Sequence, residues 1–219
     1  MALKWEDTMQ KFSLSSINDD FVYGFDLDGT LYDEFEFISQ AYVELANYLS
    51  RVIQMDEDKI YKTICGLWLQ YGSSKPDLFQ HFFIEFGVVP SNKQIRDCLN
   101  IYRTADFELN LPSRSKVILD LITESKAKMF LMTDGNSSLQ RRKIQSLGLE
   151  KWFEEGSIFI SGDFGTEYQK PNTLIRAEIE KAITDLSNVV YFGDRNVDME
   201  FAKSMNFNFF KMYSMNEVI

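Results

Sequence analysis

The stretch FVYGFDLDGTLYD, Phe21 to Asp33, restricts the fold of this chain more than any other. Phe21 to Phe25 is an apolar run carrying β-branched and aromatic residues, and it stops abruptly at Asp26. A run of this length bounded by a turn signal predicts a buried strand of a parallel sheet. Asp28, Gly29 and Thr30 follow at once, so the strand delivers two carboxylates, Asp26 and Asp28, to its exit. Carboxylates are costly to bury and need a positive partner to stay ionised. The rest of the chain has to supply it.

From Glu34 to about Ala105 the pattern is helical. Apolar positions at Ile38, Ala41, Tyr42, Leu45, Leu49 and Ile53 recur near a 3.6-residue period. Asp56 opens a second helix with an acidic first turn, and Gly72 with the following SSKP turn ends it. DLFQHFFIEFG predicts a third helix closed by Gly87, and SNKQIRDCLNIYRT a fourth with Ser91 as N-cap.

After Pro112 strands and helices alternate. Ser113–Ser125 reads as helix, Ala127–Met132 as strand, Ser137–Leu147 as helix closed by Gly148, and Ile158–Ile160 as a short strand. Asn172–Ile183 then reads as helix with Pro171 suited to its first turn, Val189–Phe192 as strand, Val197–Met205 as helix and Phe207–Lys211 as a last strand. Such alternation implies βαβ units and a largely parallel sheet. The predicted fold class is α/β, a Rossmann-like parallel sheet flanked by helices. Its organisation is a lead-in over 1–20, a core domain over 21–33 and 106–219, and a helical insertion over 34–105. Within the lead-in, Trp5, Met9 and Phe12 have the spacing of a short docked helix.

Ligands of parallel sheets bind outside the carboxyl ends of the strands. Four polar clusters fall there: Asp26 with Asp28, the turn Thr133-Asp134-Gly135-Asn136, Lys170, and Asp194 with Asp198. Four carboxylates in one pocket repel each other unless a cation joins them. Oxygen ligands without a convergent His or Cys favour a hard ion, and Mg²⁺ fits best. A cation, an ammonium, a hydroxyl and turn amides suit a phosphoryl group, whose transfer depends mainly on positioning and charge neutralisation. The net charge of −10 repels anions, so an anionic substrate must be attracted locally, and nucleic acid and anionic membrane surfaces are not expected partners. Cys65 and Cys98 lack metal-ligand spacing and read as free thiols. With no apolar run of membrane-span length and no signal-peptide pattern, a cytoplasmic location is expected.

DLDGT at 26–30, the strand-end threonine of LMTDGN, the lysine of QKPN and GDRNVD at 193–198 resemble, in order, the four motifs of the haloacid dehalogenase superfamily. A D-x-D-G-T match alone is expected by chance in roughly one chain in several hundred; four ordered motifs at strand exits are far more specific. The resemblance implies that Asp26 is the nucleophile, forming an aspartyl-phosphate, and that Asp28 protonates the leaving alcohol and then takes a proton from water. It implies further that the crowded acidic setting raises the pKa of Asp28. Thr133 and the amide of Asp134 would hold phosphoryl oxygens, and Lys170 would bridge nucleophile and phosphate. Mg²⁺ would be held by Asp26, the main-chain carbonyl of Asp28 and Asp194, with Asp198 in support. The insertion resembles the family's C1 cap, with Tyr32-Asp33 as its hinge. A second aspartate at 28 speaks against the metal-free dehalogenase branch.

The expected activity is hydrolysis of a small phosphate monoester, a sugar phosphate or nucleotide, by a monomer or weak homo-oligomer. A sugar phosphomutase on the same fold is the alternative, and a catalytically silent binding module the more distant one. Other polar residues have plainer readings. Asn136 is expected to cap the helix after it, Arg141-Arg142-Lys143 to form a solvated helix face, and His81 to sit among Phe79, Phe82 and Phe83 without a catalytic part. Trp68, Tyr71, Phe79 and Phe83 are expected to pack the insertion, with Lys75 a possible substrate contact.

Overall fold

The computed structural model describes residues 14–73 and 75–212. The helix expected through Trp5, Met9 and Phe12 lies outside the described residues. Along the chain come strand β1 (Val22–Phe25), helices α1 (Glu34–Ile53), α2 (Glu57–Tyr71), α3 (Leu78–Glu85), α4 (Asn92–Thr104) and α5 (Ser113–Glu124), then β2 (Lys128–Thr133), α6 (Ser137–Ser146) and β3 (Ile158–Ile160). The chain continues through α7 (Arg176–Ala182), β4 (Val189–Gly193), α8 (Asn196–Met205) and β5 (Asn208–Lys211). It divides into two compact units, with the boundaries at Asp33/Glu34 and Glu108/Leu109.

The strand-bearing unit holds one five-stranded parallel sheet in the order β3-β2-β1-β4-β5. β1 is central because it is apolar on both faces. One face is a core of Phe130, Met132, Val189 and Tyr191 packed against Ile175, Ile179, Phe201 and Met205 of the α7 and α8 regions. On the other face Phe25 stacks on Phe192, ring centroids 4.8 Å apart, and meets Phe153 edge-on. The right-handed crossover rule assigns the connections β1→β2→β3 and β3→β4→β5 to opposite faces, because they run in opposite directions across the sheet. The strand order reverses beside β1, between β1 and β4, and such a switch point opens a crevice at the strand exits.

Gly24, in the middle of β1, has a packing reason. A Cβ there would lie 2.7 Å from Cδ2 of Tyr191 and 2.8 Å from Cε1 of Phe130, whose rings close over the glycine. Gly24→Ala is therefore expected to cost about 1–3 kcal/mol through overpacking. Urea unfolding checks this: the midpoint should fall with an unchanged slope, and an unmoved midpoint would contradict it.

The other unit is all helical. α1 buries Phe37, Ile38, Ala41, Tyr42, Leu45, Ala46 and Leu49 along one stripe. Asp56 caps α2 by accepting from the Lys59 amide, and Ser91 with Gln94 forms a capping box on α4. Trp68 and Phe83 are buried, Phe79 packs edge-on against Phe82 and Tyr102, and Tyr71 is exposed. Indole Nε1 of Trp68 donates to Ser73 Oγ at 2.7 Å, and that hydroxyl donates to buried Glu34 at 2.6 Å. His81 is half-buried, with Nε2 3.5 Å from the Asp77 carboxylate. Cys65 and Cys98 are buried free thiols. Among the described residues no helix is long and apolar enough to cross a membrane.

Two of the boundary shifts bear on the site. β2 runs one residue further, so Thr133 is its last member. The helix expected over Asn172–Ile183 with Pro171 in its first turn starts only at Arg176. The Asn172 and Arg176 amides bond to Gln169 and Thr173 carbonyls as turns, and the Lys170 amide bonds to the Asp134 carboxylate. The backbone before α7 is committed to placing Lys170.

Candidate active site

Asp26 leaves β1 one residue after its last ladder bond, and its amide donates to the carbonyl of Phe192 in β4. That bond carries the sheet register one step past the strand and orients the carboxylate, which is fully buried. Asp194 follows β4 directly, and Asp198 lies in the first turn of α8 with one oxygen accepting from the Arg195 amide at 3.1 Å. Oxygens of Asp26, Asp194 and Asp198 all lie within 4.8 Å of one another, and all three residues are buried. Gly29 makes the approach possible: its φ is +82°, and a Cβ there would come within 2.6 Å of Asp194 Cγ. Thr30 Oγ1 lies 3.5 Å from oxygens of both Asp26 and Asp194.

Lys170 reaches the same place from the loop before α7. Its ammonium is fully buried and donates to Asp26 at 2.5 Å, to Asp198 at 2.5 Å and to the Tyr191 hydroxyl at 3.4 Å. Burial works against its charge, but Asp198 and Asp26 hold its pKa well above the ordinary lysine value. The Tyr191 hydroxyl in turn donates to the Met132 carbonyl at 3.2 Å.

Three buried carboxylates face this one buried ammonium, with Arg195 Nε 3.9 Å from Asp194. Burial and the neighbouring acids push the Asp26 carboxyl well above its usual range against the pull of Lys170. The cluster is thus short of positive charge. Its donors are oxygens only, which fits a hard divalent cation.

Asp28 belongs to a second group. One carboxylate oxygen accepts from Lys143 Nζ at 2.7 Å and from the Tyr32 hydroxyl; the other accepts from Gln140 Nε2 at 2.7 Å. Gln140 Nε2 also lies 2.7 Å from Thr133 Oγ1 and 2.9 Å from the Asp134 carbonyl. The structure thus joins Thr133 and Asp134 to Asp28 through Gln140, and Asp134 to Lys170 through the Lys170 amide.

Two expectations are corrected here. Lys143 is not on a solvated face; it is 2% exposed and paired with Asp28. Nor is the Asp28 pKa raised: burial alone would raise it, but the Lys143 ammonium with the Gln140, Lys143 and Tyr32 hydrogen bonds brings it below the ordinary carboxylate value. Asn136 does cap α6, accepting from the Leu139 amide. Tyr32 is fully buried against Asp28, a contact that its reading as part of a hinge did not include.

The sequence profile of the haloacid dehalogenase-like hydrolases matches residues 24–212. The chain belongs to that family. It is similar to a glyceraldehyde 3-phosphate phosphatase of Pyrococcus abyssi, 27% identical over 175 residues that cover 78% of this chain and 71% of the relative. Its fold is similar to that of a Thermotoga maritima protein assigned as a β-phosphoglucomutase, with TM-score 0.61, 19% identity, and coverage of 89% and 86% of the two chains. It is also similar to that of the Bacillus subtilis hydrolase YfnB bound to magnesium, with TM-score 0.60, 18% identity, and coverage of 87% and 86%.

In this haloacid dehalogenase-like hydrolase the residues missed from sequence are Tyr32, Gln140, Lys143 and Tyr191. A signal existed for two of them. Leu139, Ile144 and Leu147 mark the buried stripe of α6, and Gln140 and Lys143 fall within it at helical spacing, whereas Arg141 points outward to Asp163 at 2.8 Å. Reading Arg141-Arg142-Lys143 as one basic block concealed that periodicity.

Proposed function

We propose that this hydrolase is a Mg²⁺-dependent phosphatase that cleaves a small phosphate monoester through an aspartyl-phosphate. The observation that carries this reading is the meeting of buried Asp26, Asp194 and Asp198 with the Lys170 ammonium at the β1/β4 switch point. Mg²⁺ would be held by Asp26, the main-chain carbonyl of Asp28 and Asp194, with Asp198 beside them, and would supply charge neutralisation between carboxylate and phosphoryl oxygens. Lys170 keeps Asp26 oriented and offsets its charge.

In the first step an Asp26 oxygen bonds to phosphorus as the ester P–O bond breaks, and the leaving oxygen takes a proton from Asp28, which enters this step in its protonated form. In the second, Asp28 takes a proton from water as the water oxygen bonds to phosphorus. The Asp26–phosphorus bond breaks, releasing phosphate and restoring the carboxylate. Thr133 and the Asp134 amide are assigned to the phosphoryl oxygens. The helical unit is assigned the part of a substrate-selecting cap. Similarity to a glyceraldehyde 3-phosphate phosphatase makes triose phosphates the first substrates to try, followed by sugar phosphates and nucleotides.

The test is phosphate release from such a panel. Release in step with substrate loss is expected with Mg²⁺, abolished by EDTA and restored by excess Mg²⁺. Activity that survives EDTA would refute the metal dependence. Isomer formation without phosphate release would make the enzyme a phosphomutase.

A further inference from the structure

Asp28 is held more completely than any acid–base role by itself requires. Both of its oxygens are engaged by donors from α6: Lys143 takes one, together with Tyr32, and Gln140 takes the other. Gln140 and Lys143 stand three residues apart on one face of that helix, and the Asn136 cap fixes where the helix begins. All four side chains, Asp28, Tyr32, Gln140 and Lys143, are buried. A carboxylate bonded on both oxygens in a packed site has one rotamer open to it. Gln140 also touches Thr133 Oγ1 and the Asp134 carbonyl, so the same amide that holds Asp28 measures its distance from the turn assigned to the phosphoryl oxygens.

We infer that Lys143 and Gln140 are positioning residues that fix the Asp28 carboxylate relative to the phosphate-holding turn, so that α6 sets where the proton is delivered. This rests on the phosphatase reading. Neither residue touches the reacting phosphorus. Their effect is on whether the Asp28 oxygen meets the leaving group.

Leaving groups report that placement. p-Nitrophenolate departs with little help from an acid, whereas phenolate needs a proton. General-acid help contributes on the order of 10²–10⁴-fold when it is fully used. Single-turnover phosphorylation of the enzyme is measured with p-nitrophenyl phosphate and phenyl phosphate, for the unaltered protein, Lys143→Met, Lys143→Arg and Gln140→Leu. The rate ratio between the two esters should widen at least about tenfold in Lys143→Met and Gln140→Leu and return toward the unaltered value in Lys143→Arg. Gln140→Leu introduces no unpaired charge, so it serves if Lys143→Met does not fold. An equal fall for both esters, or an unchanged ratio, would overturn the inference while leaving the phosphatase reading intact. No turnover of any phosphate ester by the unaltered enzyme would overturn both.

Discussion

Asp26→Asn is expected to lower phosphate release by about 10⁴-fold or more, because a carboxamide cannot form and discharge the acyl-phosphate bond. The fold should survive. Burial with two neighbouring acids already works against charge on Asp26, and an amide of the same shape removes that conflict. Lys170 keeps its 2.5 Å contact with Asp198, so no buried cation is stranded. The expected pattern is an inactive protein whose urea midpoint is unchanged or slightly raised. Acid-quenched mixtures should show a phosphorylated protein for the unaltered chain and none for the variant. Activity within tenfold of the unaltered enzyme would remove Asp26 as nucleophile.

The parts of the site that were legible in the sequence share one property: the backbone places them. Asp26, Thr133 and Asp194 sit at the ends of continuous apolar runs, and parallel pairing brings those ends to one edge whatever the side chains do. The start of α7 departs from the local pattern for a related reason. Pro171 and the apolar pair Leu174-Ile175 suit a helix locally, yet the Lys170 amide is taken by the Asp134 carboxylate and the next residues form turns. A long-range hydrogen bond, invisible in local spacing, decided that boundary.

Side-chain pairing was far less legible. In sequence Asp28 stands in an acidic crowd, because its chain neighbours and motif partners are acids. The fold sends its carboxylate instead to Lys143, a residue 115 positions away, and the sign of its pKa shift reverses. Without substrate the pairing favours the ionised carboxylate, the form that accepts a proton from water in the second half of the proposed reaction; the first half draws on the protonated form, which the negative charge of a bound phosphate ester favours. Because that pKa is lowered, the stability contributed by the Asp28–Lys143 pair is present above the unfolded carboxylate pKa and is lost as pH falls through the folded value. Charge alone would not have located this pair. The α6 periodicity identifies Lys143 as buried, and only the tertiary fold identifies its partner.

Lys170→Met should be the most damaging change to stability within the site. Lys170 and its two carboxylate partners, Asp26 and Asp198, are all fully buried, so removing the ammonium takes away the cation bonded to both acids. Breaking a buried pair in this way costs about 3–5 kcal/mol, and methionine fills most of the volume, so the loss is electrostatic more than steric. The pH dependence has a definite sign. The folded-state pKa of Lys170 is raised, so its contribution is complete through the neutral and acidic range and is lost only as pH rises through that raised value. In the variant the Asp26 carboxyl, already pushed up by burial, loses the pull of Lys170 and keeps the repulsion of the acids beside it. The cost of leaving Asp26 without the ammonium is greatest when it is ionised and falls as pH drops through its raised value. Urea unfolding in EDTA should therefore show the largest gap between the two proteins near neutral pH and a smaller one near pH ~5. A constant gap would mean that Lys170 acts through packing and not through its charge. Turnover with Mg²⁺ should fall at the same time by roughly 10²–10³-fold, as when a preorganised donor is removed from a developing charge.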